Sequence, residues 1–175
     1  MGVMIKPFEF AIERFWDGAP SPPHGYRATG LIVQSEKGLH VNVRARLPLG
    51  HRSPSAPTGT RLERLWEYDV VELFLVAEDR TYLEIELGAY GHWLILGFDD
   101  VRHRTHDYED LNPEHTYTAV DSKWWESSIL IPPDMIPDHP KRANAFAISD
   151  GEFYAWHPVP GKVPDFHQPE TYPIL

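Results

Sequence analysis

Apolar and polar residues alternate with a period of two along most of this chain, and Gly or Pro cuts the alternation at short intervals. The pattern predicts strands over Pro7–Trp16, Tyr26–Gln34, Leu39–Leu47, Trp66–Ala77, Thr81–Leu87, Trp93–Phe98, His115–Asp121, Trp124–Ile131, Ala143–Ser149 and Glu152–Trp156. No stretch of about ten residues holds a clean 3.6-residue period, so only helical turns are expected, at Pro133–Ile136 and Thr60–Leu65. Many short strands of this kind predict an all-β, two-sheet antiparallel sandwich, read as one domain over residues 1–175. Pro48–Thr60 reads as a polar surface loop, and Arg102–Glu114 as a charged, turn-like stretch. The proline-rich tail Pro158–Leu175 cannot form a helix or central strand, but its Phe166, Tyr172, Ile174 and Leu175 predict that it lies extended against the sandwich.

The segment Leu65–Phe98 breaks the ordinary strand pattern. Glu72 interrupts a run of Val, Leu and Phe, while Glu84 and Glu86 alternate with Leu83, Ile85 and Leu87. A carboxylate against buried surface needs a hydrogen-bond partner, a cation or a raised pKa, because an unpaired buried charge is costly. A two-residue turn at Glu78-Asp79 would set Ala77 opposite Arg80 and Glu72 opposite Ile85. Glu72 would then be the one charge on an apolar face, with Glu84 and Glu86 on the opposite, solvated face.

Composition narrows the partners. A formal charge of −10 disfavours nucleic acid and anionic membrane, and the longest apolar run is too short to cross a bilayer. The N-terminus shows neither a signal-peptide core nor a myristoylation pattern, Lys6 standing where Ser or Thr is needed, so an intracellular (cytoplasmic), soluble protein is expected. Without cysteine there is no disulfide and no thiolate metal site. His103 and His106 have metal-like spacing but fall in a charged loop or strand, and His157, His167 and Asp165 converge only if the tail folds back. No cofactor is implied: the acids can hold Ca²⁺ through oxygen, yet no EF-hand-like spacing occurs, and haem ligation is disfavoured. No nucleophile motif or phosphate loop is present, and Glu84 with Glu86 on one strand does not make a glycosidase pair.

Six blocks, IERFWDG (12–18), LWEYDVVELFLVAEDRTYLEIELGAYG (65–91), KWWESSILIP (123–132), NAFAI (144–148), YAWHPVP (154–160) and PDFH (164–167), together resemble DOMON-like β-sandwiches related to family 9 carbohydrate-binding modules, and within them an uncharacterised group with bacterial and vertebrate members. The resemblance implies a jelly-roll-like sandwich whose sugar-binding relatives use a Trp early in the central strand and a Glu six residues on. Trp66 and Glu72 match that spacing, and Asn144 matches a contributing Asn in a late strand. Where a second stacking Trp is expected, Ala147 stands, leaving Trp93, Trp156 and His157 as alternative walls. The expected function is therefore non-catalytic binding of a small carbohydrate or other polar ligand. Its rivals are a protein-interaction scaffold with an internal acidic network, and a glycan-active enzyme.

Overall fold

The structure is a computed structural model and describes residues 4–50 and 52–175. The first three residues, part of the N-terminal reading above, and His51 of the polar loop lie outside the described residues. The chain folds as two antiparallel sheets, as the alternation predicts. Among the described residues twelve strands form: β1 Phe8–Ile12, β2 Arg14–Phe15, β3 Ala28–Ser35, β4 Gly38–Arg46, β5 Val70–Ala77, β6 Tyr82–Gly88, β7 Trp93–Asp100, β8 His103–His106, β9 His115–Ala119, β10 Trp124–Ile131, β11 Pro140–Ser149 and β12 Glu152–Ala155. One sheet runs β1-β3-β4-β10-β9 and the other β2-β12-β11-β5-β6-β7-β8. The segment read as one strand over Pro7–Trp16 splits between the two sheets, and β8 forms inside the stretch read as turn-like. Trp66 belongs to a 3-10 turn, Leu65–Glu67, rather than to the central strand. Among the described residues no helix is long and apolar enough to cross a membrane.

The seven-stranded sheet is buried on both faces, which explains why β5 and β6 are buried at every position. Its inner face meets the five-stranded sheet through Val71, Leu73, Leu75, Leu83, Ile85 and Leu87. Its outer face carries a second core, in which Phe74, Leu94, Leu96 and Phe146 pack beneath Val159, Phe166 and Tyr172 of the C-terminal tail. Strand β12 pairs with only the second half of β11, from Phe146 to Ser149. The tail takes over along the first half, where Ala143 N–H donates to the Pro173 carbonyl and Leu175 N–H to that of Lys141. Arg142 Nη1 adds a 2.7 Å bond to the Tyr172 carbonyl. The tail therefore lies against the sandwich as expected, although the Ile174 and Leu175 side chains point to solvent.

The β5–β6 register differs from the sequence expectation. Ala77 N–H donates to the Thr81 carbonyl and Arg80 N–H to that of Ala77, which makes a three-residue loop, Glu78-Asp79-Arg80. Arg80 adopts the left-handed conformation (φ 75°) that closes such loops. A two-residue turn would need two such residues, for which Glu and Asp are poor. The extra loop residue sets Glu72 opposite Glu86 and Phe74 opposite Glu84. Glu84 and Glu86 thus share the Glu72 face and are buried, not solvated.

The roof is a testable part of this architecture. Phe166 stacks on Phe146 with ring centroids 4.2 Å apart. Phe166→Ala is expected to lower unfolding free energy by about 3 kcal/mol in urea denaturation, the usual cost of emptying an aromatic core site; a loss under about 1 kcal/mol would show that the tail does not roof the sheet.

Candidate functional site

Register and roof together build the site. Glu72, Glu84 and Glu86 present carboxyl oxygens that all lie within 4.8 Å of one another. Their cross-strand neighbours are Phe146 opposite Glu72, Leu94 opposite Glu86 and Leu96 opposite Glu84, so the acids sit in an apolar frame. A cavity of about 370 Å³ opens beside them, lined by Glu72, Glu84, Trp66, Phe98, Phe166 and His167 together with Leu96, Arg102, Arg104, Ile148, Phe153 and Pro164. Trp66 is 36% exposed there. Its 3-10 turn follows Arg64, which takes the left-handed conformation (φ 64°), and packs against β6.

Burial dominates the electrostatics. It holds the Glu72 and Glu86 carboxyls protonated well above the usual carboxylate range, reinforced by the neighbouring Glu84 charge. Glu84 is pushed up to about 7 by the same burial, against the opposing pull of a Glu86 proton and of Arg102 and Arg104. Among the described residues, neither Glu86 oxygen meets an N–H or O–H donor. A proton on Glu86 shared with Glu84 is therefore the simplest internal partner. His167 is kept neutral, its pKa lowered to about 4 by burial and by Arg102. Tyr82 Oη accepts the Arg102 N–H at 3.0 Å and sits 2.8 Å from His167 Nδ1. With its oxygen accepting from Arg102, the Tyr82 hydroxyl is free to donate to His167 Nδ1, and His167 Nε2 lies 3.8 Å from Glu84 Oε2. Both arginines are already paired, Arg102 with Asp165 at 2.7 Å and Arg104 with both Glu63 oxygens at 2.7 and 2.8 Å.

The residues singled out in the sequence do not all converge. Trp66 and Glu72 share the cavity. Asn144 is buried elsewhere on the outer face, and its amide is consumed in backbone bonds: Nδ2 donates to the His157 carbonyl, and Oδ1 accepts from His157 N–H and Ala145 N–H. Trp93 faces the inner core and donates to the Gly59 carbonyl. Trp156 stacks on Phe8 and lines a separate open groove on the five-stranded sheet, with His157 against its ring. Glu84, expected on the solvated face, and His167, singled out only together with His157 and Asp165, also line the cavity, and Arg102 and Arg104 join them with no signal in the sequence. Among the described residues, the Pro48–Thr60 loop does not border the cavity. It docks on the β6–β7 turn, where Ala56 accepts from His92 Nε2 at 2.8 Å.

Fold and site together define a two-sheet β-sandwich with a roofed acidic cavity on the outer face of its larger sheet. The fold is shared with a Bacteroides uniformis protein described as a "putative carbohydrate-binding protein" (TM-score 0.68, 18% identity, 96% of this chain and 84% of that one). No family profile matches the sequence. Full-length relatives do: the UPF0462 protein C4orf33 homolog of Mus musculus is 31% identical over 94% of this chain and 88% of its own length. The Danio rerio homolog is 29% identical over 94% and 86%, and the Homo sapiens protein 28% identical over 91% and 83%. The chain belongs to the UPF0462 (C4orf33) family.

The acidic cluster makes stability pH-dependent in a defined direction. A carboxyl with a raised folded pKa binds its proton more tightly in the folded state, so its contribution is full below about 4.5 and is lost as pH rises through the folded value. His167 acts oppositely, adding stability as pH rises from about 4 to 6.5. Above pH 6.5 the glutamates act alone. In chelator-treated protein, stability is expected to fall between about pH 6.5 and pH 8, at up to about 1.4 kcal/mol per pH unit for each group that stays protonated. Glu86→Gln, which removes one such group, should flatten thermal-melting profiles over that range; parallel profiles for the two proteins would contradict this assignment.

Proposed function

We propose that the chain is a non-catalytic binding domain, of DOMON-like and family 9 carbohydrate-binding-module kinship, that holds a small neutral carbohydrate between Trp66 and Glu72. The observation that carries this reading is the pairing of a partly exposed indole with buried carboxyls in one cavity. A pyranose offers C–H groups on its face and hydroxyls at its edge, and the site offers an aromatic plane and oxygen acceptors to match. The cavity volume of about 370 Å³ and its mostly apolar lining suit a monosaccharide-sized ligand. A protonated Glu72 can donate to a hydroxyl as well as accept from one.

Charge selects against anions. Arg102 and Arg104 are already neutralised by Asp165 and Glu63, so neither is free to grip a phosphate or carboxylate. The net charge of −10 adds a long-range repulsion. One stacking platform, set against the entropic cost of association, supports affinities of about micromolar to millimolar. The description of the Bacteroides uniformis protein is consistent with this ligand class.

Titration with neutral mono- and oligosaccharides should change intrinsic tryptophan fluorescence. Trp66→Ala should abolish the response while the protein still folds and unfolds cooperatively, since about a third of the indole already faces solvent. The proposal fails if the variant keeps the response or if the wild-type protein gives none.

A further inference from the structure

We propose that Glu72, Glu84 and Glu86 together bind one divalent cation of calcium size and chemistry beneath the Trp66 cavity. A cluster of acids is not by itself a reason for an ion. Here Glu86 supplies a separate one: it is 0% exposed, and among the described residues neither of its oxygens has a hydrogen-bond partner. Its carboxyl is directed at Glu72 and Glu84, not at the protein amides or hydroxyls that ordinarily satisfy a buried acid. A shared proton satisfies one oxygen of such a group, whereas a cation coordinates several at once.

The geometry selects the ion. All three carboxyls supply oxygen, the donor that hard cations prefer. With all of these atoms within 4.8 Å of one another, one ion can reach all three carboxyls at a Ca–O bond of roughly 2.4 Å. Magnesium, at about 2.1 Å, demands a near-ideal octahedron and gives up its waters reluctantly, which a site framed by Phe146, Leu94 and Leu96 disfavours. Rigid placement on β5 and β6, with both faces of the sheet packed, keeps the acids from rearranging into that octahedron. Three carboxylates supply up to six oxygens if bidentate, and water reaching Glu72 and Glu84 from the cavity completes a shell of six to eight. His167 is not needed: its Nδ1 is engaged with Tyr82, and its Nε2 stands 3.8 Å from Glu84 Oε2.

Isothermal titration of the chelator-treated full chain with CaCl₂, and separately with MgCl₂, tests the site. The expected result is one-to-one calcium binding with magnesium at least about tenfold weaker, and at least a tenfold loss of calcium affinity in Glu86→Gln and in Glu72→Gln. Glu36→Gln, on an exposed turn, should bind as wild type. Two isosteric variants keep the test decisive if one does not fold. The inference is overturned by no saturable calcium binding up to on the order of 1 mM, by magnesium binding as tightly as calcium, or by a folded Glu86→Gln or Glu72→Gln variant that retains full affinity. Calcium binding and sugar binding are separate readouts, so either can fail without the other.

Discussion

Three carboxyls held on one face of two adjacent strands set the conditions for the rest of this molecule. Like charges directly across a strand pair repel, so Glu72 and Glu86 cannot both ionise cheaply at their registered positions. The sheet fixes where they stand, and the C-terminal tail covers most of that face, leaving Glu72 and Glu84 on the Trp66 cavity. Val159, Phe166 and Tyr172 close over Phe74 and Phe146, turning what would be a wet sheet face into a second core. Within that core the acids are held as a proton-sharing group, with Glu84 balanced near neutrality. The cavity lined by Trp66 and Arg102 reaches Glu72 and Glu84. Roof, register and cavity are thus consequences of one arrangement.

Much of the architecture was legible in the sequence because a period of two is a strong signal and Gly and Pro mark the turns. The sandwich, most strand positions and the docking of Phe166 and Tyr172 followed from it. Register was not legible. The loop Glu78-Asp79-Arg80 places an arginine where a glycine usually signals a left-handed residue, so nothing in the letters announced the third loop position. One residue of loop length turned Glu84 and Glu86 from the solvated face to the buried one.

The site was legible in part and by a different route. Spacing inherited from a family resemblance joined Trp66 to Glu72, and the fold places both on one cavity. The same resemblance named Asn144, whose amide instead ties β11 to the backbone of His157. A sequence shows that a position holds an amide; it does not show whether backbone groups consume it. His167 could not be assigned because the tail that carries it reaches Glu84 only through tertiary packing.

The central claim is that the Trp66 cavity, and not the open groove beside Trp156, receives the ligand. The most direct measurement is a ¹H–¹⁵N NMR titration of the chain with a neutral monosaccharide, following all backbone amides and the indole N–H signals. The account predicts saturable shifts centred on Trp66, Phe98, Phe166 and His167, around the cavity mouth. Shifts confined to Trp156 and the Thr29, Asn42 and Thr116 groove, or no saturable shifts, would contradict it.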